Sequence, residues 1–234
     1  MLKAIASLLC VVIGLAFSGC ATRTKMPALD QAVAFAPGDT PIYLMTVTLR
    51  NDNAPRYQPK MIVAHVEKNG ATTKADRLNF LPERKAQHAL DPEELGNRCF
   101  VRLQTPPGDY TLVGFTSICS GFPFHGMTTA PLLASLPQGA PGIVYLGHVA
   151  ATVRKRQGDE FRAGPVIPLI DQAATGLSGG TYDIAVEDRW DDDAAEFIAR
   201  FPALKNVTVA KNILPPFDRA KAQAWWEGAL QNSE

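Results

Sequence analysis

The chain has 234 residues, of which 46% are hydrophobic and 20% charged, and its 23 basic residues are balanced by 23 acidic ones. This composition is ordinary for a globular protein, and the length suits one large domain or a domain with an appendage. A chain without a basic excess lacks the electrostatic footprint of a nucleic-acid-binding protein, so we expect no nucleic-acid partner.

The chain opens with an apolar segment whose layout is typical of a secretory signal peptide. Lys3 supplies a positive charge, residues Ala4 to Phe17 are almost entirely apolar, and the small pair Ser18-Gly19 precedes Cys20. The apolar part is about 14 residues long, short of the ~20 that a helix needs to cross a bilayer. A cleaved signal peptide over residues 1–19 is therefore favoured over a transmembrane anchor.

The letters FSGC at positions 17–20 resemble the lipobox of bacterial lipoproteins, although Phe17 stands where the usual residue is Leu. The resemblance implies a diacylglyceryl group on the Cys20 thiol, cleavage before Cys20 and a third acyl chain on the new amino group. Two or more such chains anchor a protein stably to a membrane. Ala21 follows where inner-membrane lipoproteins often carry Asp, so the resemblance implies an outer-membrane location facing the periplasm. The alternative is an ordinary signal peptide with an incidental cysteine.

Residues 20–39 are predicted to form a lipidated tether. Their sequence shows no sustained helical or strand periodicity. We expect this segment to lift the folded domain off the membrane.

Residues 40–187 read as strands separated by turns. Between Ile42 and Leu49, apolar residues alternate with Thr46 and Thr48, a period of two that predicts a half-buried strand. Further strands are predicted at residues 60–68, 76–80, 143–150, 152–155 and 181–186, with a turn at Asn69-Gly70. The fold class is therefore mainly β, an antiparallel β-sandwich of the transthyretin-like or immunoglobulin-like kind.

A proline-glycine turn stands out between two strand patterns at residues 98–117. The turn is Pro106 to Asp109, where proline restricts φ and glycine accepts a positive φ. This pattern predicts a hairpin in which Thr105 pairs with Tyr110.

The same hairpin bears on a candidate disulfide between Cys99 and Cys119. Both cysteines would lie in a compartment where disulfides persist. The hairpin pairs Cys99 with about Thr116, which leaves Cys119 some three residues out of register. A bridge then forms only if the chain bends back after Ser117. The sequence therefore leaves open whether the disulfide forms.

The segment LQTPPGDYTLVGF resembles the PPG-x-Y-x-L hairpin of transthyretin-like and carboxypeptidase-regulatory-like β-sandwiches. Together with APGIVYLGHVA it is similar to bacterial lipoproteins of the DUF2846 type, and the resemblance covers roughly residues 42–150. It implies a compact β-sandwich exposed to the periplasm, with no established catalytic residues to carry over.

The last part of the chain, residues 188–234, is predicted to be a helical extension packed on the sandwich. Three acids, Asp191 to Asp193, suit the positive end of a first helix. An apolar stripe follows, made of Phe197, Ile198, Phe201 and Leu204. A second helix at residues 217–230 carries Trp225 and Trp226, of which one should pack on the sandwich and the other be half exposed.

Catalytic and metal-binding patterns are weak. Gly176 to Gly180 spell G-x-S-x-G, but a strand pattern follows and all four histidines precede Ser178, so no downstream base exists for a hydrolase triad. Cys99, Cys119, His125 and His148 are metal-ligand residue types, but the six-residue step from Cys119 to His125 is outside the common zinc spacings. We expect no catalytic residues, no cofactor and no metal.

A stretch with large apolar side chains, Ser120 to Met127, is predicted to be a loop. It carries the candidate binding residues Phe122, Phe124 and His125. The loop is either a binding lip or a flap that closes one end of the sandwich.

The sequence thus predicts a non-enzymatic lipoprotein of the bacterial cell envelope. Its body would be a binding or assembly module facing the periplasm, with an envelope protein as partner and a lipid anchor in the membrane. Two alternatives remain, a periplasmic enzyme with an unrecognised site and a carrier of metal or small ligands.

Overall fold

The computed structural model describes residues 21–30, 39–90, 95–165 and 170–231. The predicted signal peptide and the lipidation residue Cys20 lie outside the described residues. The described strands are β1 (Thr22–Lys25), β2 (Ile42–Asn51), β3 (Pro59–Lys68), β4 (Arg77–Leu81), β5 (Gln87–Ala89), β6 (Asn97–Leu103), β7 (Tyr110–Gly121), β8 (Phe124–Ser135), β9 (Ile143–Lys155), β10 (Gly180–Glu187) and β11 (Val209–Lys211). The described helices are α1 (Ile170–Ala174), α2 (Trp190–Arg200) and α3 (Arg219–Gln231).

The strands form two sheets that pack as a β-sandwich, with the C-terminal helices against it, as the sequence predicts. The first sheet has the order β1-β4-β3-β7-β8, and the second has the order β10-β9-β2-β6-β5 with β11 also paired to β9. The expectation of purely antiparallel sheets is wrong, because β1–β4, β2–β9 and β11–β9 are parallel pairs. Parallel pairing suits β2 and β9, which are largely buried.

Strand β2 shows how the two sheets and α2 share the core. Tyr43 and Met45 belong to the core between the sheets, whereas Ile42 and Leu44 belong to a second core beneath α2. The prediction of a half-buried strand is therefore wrong on one face, since α2 covers it and even Thr46 is fully buried.

The proline-glycine segment does not form the predicted hairpin. Strand β6 pairs with β2 and β5 in one sheet, and β7 pairs with β3 and β8 in the other. Pro106 and Pro107 have no backbone N–H, so they cannot continue a ladder. The segment instead crosses from one sheet to the other, with Leu103 and Tyr110 both facing the core between the sheets.

The first part of the predicted tether is folded onto the domain. Strand β1 pairs in parallel with β4, and Met26 and Leu29 are buried in the two cores. The Leu29 carbonyl accepts a hydrogen bond from the Ala203 N–H at 3.1 Å, and the fully buried Arg102 donates from Nε to the Pro27 carbonyl at 2.9 Å. Residues 21–30 are thus an edge of the sandwich rather than a tether.

The C-terminal part contributes both helices and a strand. Phe197, Phe201 and Leu204 are buried against the second sheet, which confirms the apolar stripe read from the sequence. Trp226 packs against the main core while Trp225 is 40% exposed, as predicted. Strand β11 extends the second sheet beside β9, so this region is an integral part of the fold.

Candidate functional site

The stretch predicted as a loop at Ser120 to Met127 is a β-hairpin. Strands β7 and β8 pair through its length, with Ser120 opposite His125 and Gly121 opposite Phe124. Phe122 lies at the tip and is 87% exposed, whereas Phe124 is half-buried against the main core. His125 is exposed, and its imidazole has no hydrogen-bond partner among the described residues.

Beside this hairpin lies a cleft of about 500 Å³, which we name the β8–α3 cleft. Strands β7 and β8, the segment before α1, α1 itself and α3 all contribute to its walls. It is lined by Thr116, His125, Met127, Thr128, Thr129, Arg162, Gly164, Pro165, Gln172, Trp225 and Trp226. The structure therefore brings His125 and the paired tryptophans together, three residues that the sequence had placed in separate features.

The wall formed by β8 is an edge strand whose free side is covered. The Thr129 N–H donates to the Ala163 carbonyl at 3.2 Å. The Gln172 amide, oriented by its partners, donates to the Met127 carbonyl at 3.1 Å and accepts from the Met127 N–H at 3.0 Å. These bonds imitate a neighbouring strand, so α1 fixes the cleft wall and protects the sheet edge.

The opposite wall is helix α3, which several polar contacts hold in place, two of them as follows. Lys221 donates from Nζ to the Leu133 carbonyl at 2.6 Å, and Gln223 Oε1 accepts from the Phe161 N–H at 2.6 Å. Because these contacts fix α3 on the domain, Trp225 and Trp226 form an aromatic wall of the cleft.

Two of the four large exposed apolar side chains among the described residues line this cleft. The four are Phe122, Met127, Ile170 and Trp225. Met127 and Trp225 line the cleft, Ile170 begins the helix that supplies Gln172, and Phe122 tips the hairpin that supplies His125. Clusters of exposed apolar side chains mark interaction or ligand sites on soluble domains.

The cleft also carries hydrogen-bond donors that lack acceptors. Arg162 forms no ion pair and no hydrogen bond within the described part of the chain, and its Nε is buried. The Trp226 Nε1–H is likewise buried without a described acceptor. Among the described residues, no Asp or Glu lines the cleft. The site therefore has an excess of donors and one uncompensated positive charge.

A row of hydrogen-bonded polar side chains runs across the sheet from the cleft. Thr129 and Thr116 are linked through their hydroxyls at 3.0 Å, and Thr116 Oγ1 lies 2.7 Å from His65 Nε2. His65 Nδ1 lies 2.8 Å from Asn79 Oδ1. Since each of these groups already has a partner, this row of side chains supports the cleft floor rather than offering free ligand contacts.

The candidate disulfide is not formed in the structure. Cys99 on β6 and Cys119 on β7 are free thiols, both buried in the core between the sheets. Burial raises the pKa of the Cys119 thiol to about 12 and that of Cys99 further still. Both thiols are therefore protonated at neutral pH and behave as small apolar core groups.

His148 lies in a buried polar cluster beneath α2, away from the cleft. The Tyr145 hydroxyl donates to Asp193 Oδ2 at 2.6 Å, and Thr46 also donates to that oxygen. Thr46 Oγ1 accepts from His148 Nδ1 at 2.7 Å in the tautomer that this network implies. Asp193 lies in the first turn of α2, as the sequence predicts, but it is fully buried.

The electrostatics of this cluster follow from burial. Burial lowers the pKa of His148 below its ordinary value, and the neighbouring Asp193 carboxylate only partly opposes that effect. Burial and the same carboxylate raise the pKa of Tyr145. The cluster holds a neutral imidazole and a neutral phenol around one carboxylate, an arrangement that fastens α2 to the sheet.

The other sequence candidates do not assemble. Ser178 lies in the turn between α1 and β10, and its N–H donates to the Gln172 carbonyl at 3.1 Å. In the described part of the chain, no group of three or more His, Cys, Asp or Glu side chains is placed to hold a metal ion. No helix in the same residues has the length and apolar character to cross a membrane.

The sequence could not reveal the cleft because its residues are distant in the chain. His125, Arg162 and Trp226 belong to three segments with no shared local pattern. Of the candidate binding residues that the sequence predicted, Phe122, Phe124 and His125, the structure places His125 in the cleft lining. The two tryptophans were predicted only to pack on the sandwich. In comparisons with known proteins, no family model, no curated protein and no solved structure matches this chain.

Proposed function

We propose that the protein is a non-enzymatic lipoprotein of the bacterial cell envelope that binds a ligand with an apolar body in the β8–α3 cleft. The anchor part of this proposal comes from the FSGC lipobox at Cys20 and the signal-peptide layout before it. The binding part comes from the cleft, where exposed apolar side chains and unpartnered donors meet.

The observation that carries the binding proposal is the composition of the cleft. Apolar walls with a few placed polar groups are typical of small-molecule sites. Met127, Trp225 and Trp226 supply the apolar wall, and Arg162 supplies a charge. His125 has no described acid partner that would orient it as a general base, so the side chains suit binding better than hydrolysis.

The position of residues 21–30 determines where a lipid anchor would lie relative to the cleft. One row of paired residues crosses the first sheet through Thr22, Leu78, Val66, Leu112 and Ala134. On β8, His125 lies nine positions before Ala134, which is about 30 Å along a strand. Four strand spacings, ~19 Å, separate β1 from β8. An anchor at Cys20 would therefore leave the domain at the corner diagonally opposite the cleft.

The anchor is tested with Cys20→Ser in the native host. The wild type should incorporate a palmitate analogue and fractionate with membranes, and the variant should lose the label because the acylated thiol is gone. Cys10→Ser is the matched control, since it removes a cysteine from the signal region and should leave labelling intact. Undiminished labelling of the Cys20 variant would overturn the lipoprotein proposal.

Binding is tested with a neutral apolar dye, 1-aminoanthracene, on the mature chain produced from Ala21 without lipid. We expect saturable dye fluorescence, because the cleft walls exclude water from the ring. Thr129→Trp should block it by filling the cleft, whereas Thr111→Trp, a strand threonine outside the cleft lining, should not. A dye response that is equal in both variants would contradict a ligand site at the cleft.

A further inference from the structure

We propose that the β8–α3 cleft selects carboxylate ligands that carry an apolar chain or ring, and that Arg162 is the residue that binds the carboxylate. This inference rests on the proposed binding function and names the ligand class of the same site. It starts from two donors that the described chain leaves without acceptors.

The first donor is the Arg162 guanidinium. Twelve ion pairs are formed among the described residues, and Arg162 takes part in none of them. Two other arginines, Arg154 and Arg219, both form ion pairs with Glu160. Glu160 lies two residues before Arg162 and is already bound by these two arginines. Within the described residues, no carboxylate is therefore available to the Arg162 charge.

The second donor is the Trp226 indole. Its Nε1–H is buried and has no described acceptor, although a buried N–H normally finds one. Leaving such a donor unpaired costs free energy, and a bound acceptor would remove that cost. An acceptor-rich ligand group near Arg162 and Trp226 therefore fits the cleft better than a donor or an apolar group.

The charge of the ligand group follows from the absence of acids in the lining. The described lining contains Arg162 and no Asp or Glu, so the cleft should favour an anionic group over a cation. A single guanidinium matches the two oxygens of one carboxylate, because its parallel N–H groups form two bonds at once. Arg162 is the one arginine among the described lining residues, so a phosphate ester would leave further charge uncompensated there.

The rest of the ligand is set by the apolar wall. Trp225, Trp226 and Met127 offer aromatic faces and a flexible thioether, which accept alkyl chains and rings alike. A volume of about 500 Å³ falls within the usual range for sites that take small organic molecules. The chemistry thus points to a small acid with an apolar body.

The test is displacement of 1-aminoanthracene from the mature chain by decanoate and by decan-1-ol, which share the alkyl chain and differ in the charged group. We expect decanoate to displace the dye at lower concentration than the alcohol. Arg162→Gln should weaken decanoate by about ten- to hundredfold and leave decan-1-ol unchanged, since only the charged hydrogen bonds are lost. Arg162→Lys should restore part of the preference.

Arg23→Gln is the matched control, because Arg23 is exposed on β1 at the far edge of the same sheet. It should bind both probes like the wild type. Equal displacement by decanoate and decan-1-ol, or an unchanged decanoate preference in Arg162→Gln, would overturn the inference while leaving the proposed binding function standing. Failure of the dye itself to bind the wild type would overturn both.

Discussion

Asp193 illustrates how a residue's surroundings outweigh its type. Its sequence neighbours Asp191 and Asp192 are exposed at the start of α2, as capping acids should be, but Asp193 turns inward and is fully buried. Three acids in a row look alike in sequence, and only the tertiary contacts with Thr46 and Tyr145 distinguish the third. The helix is therefore predictable from the sequence, whereas the buried cluster is not.

The buried His148 predicts a specific loss of stability in weak acid. In the unfolded chain an ordinary histidine takes up a proton near pH 6.5, whereas the folded protein lowers the pKa of His148 by burial. The unfolded state therefore binds more protons as the pH falls below that point, and the free energy of unfolding falls by up to about 1.4 kcal/mol per pH unit. The charged groups that face His148 are Asp193, Arg189 and Arg98.

The measurement is urea unfolding at pH 7 and at pH 5. The wild type should lose stability over this interval, and His148→Gln should lose less, whatever its stability at pH 7. His125→Gln is the control, because it makes the same substitution at an exposed position. An identical loss in wild type and His148→Gln would show that the imidazole does not titrate as proposed.

Among the elements, strand β8 shows where local pattern reading fails. Gly126 and Pro131 punctuate its sequence and suggest a loop. A Cβ at Gly126 would lie 2.3 Å from Thr175 Oγ1, so glycine is required there by close packing rather than by a turn. Pro131 lies beside a register shift in the pairing of β7 and β8 on an edge strand, where proline is tolerated.

The helical extension was predictable for the opposite reason. The spacing of Phe197, Phe201 and Leu204 is a local amphipathic pattern, and the structure buries all three. The proline-glycine turn was also local, but which strands it joins depends on sheet pairing that no short pattern encodes. The crossing between sheets therefore could not be read from residues 98–117.

Residues 21–30 are predicted to contribute to the stability of the folded domain. Leu29 is buried in the core beneath α2, so Leu29→Ala should lower the free energy of unfolding by about 2–5 kcal/mol. Arg23→Ala, at an exposed position of β1, should change it by less than about 0.5 kcal/mol. Urea unfolding of the mature chain measures both. Equal stabilities for wild type and Leu29→Ala would restore the view of this segment as a tether.

The molecule as a whole places its proposed anchor and its cleft at opposite corners of the first sheet. Thr22 Oγ1 donates to the Lys74 carbonyl, so Lys74 marks the anchor corner, and Phe122 marks the hairpin beside the cleft. With the lipidated protein in vesicles, this geometry keeps the cleft accessible from the aqueous side. The linker between the proposed lipid anchor and the folded domain is short, because β1 begins two residues after Cys20.

This orientation is measured by fluorescence quenching with spin-labelled lipid headgroups. A fluorophore on Lys74→Cys should be quenched more strongly than one on Phe122→Cys, since position 74 lies nearer the bilayer. The native thiols Cys99 and Cys119 are buried and should remain unlabelled in the folded protein. Stronger quenching at position 122 would mean that the cleft faces the membrane.

Carboxylate binding in the β8–α3 cleft is tested most directly by a ¹H–¹⁵N NMR titration of the mature chain with decanoate. We expect saturable shifts at the backbone amides of Met127, Thr129 and Gly164 and at the side-chain signals of Arg162 and Trp226, which all belong to the cleft lining. Residues on β1 and β5, far from the cleft, should not shift. Shifts that cluster on another face of the sandwich, or no saturable shift at all, would contradict the assignment of the β8–α3 cleft as the binding site.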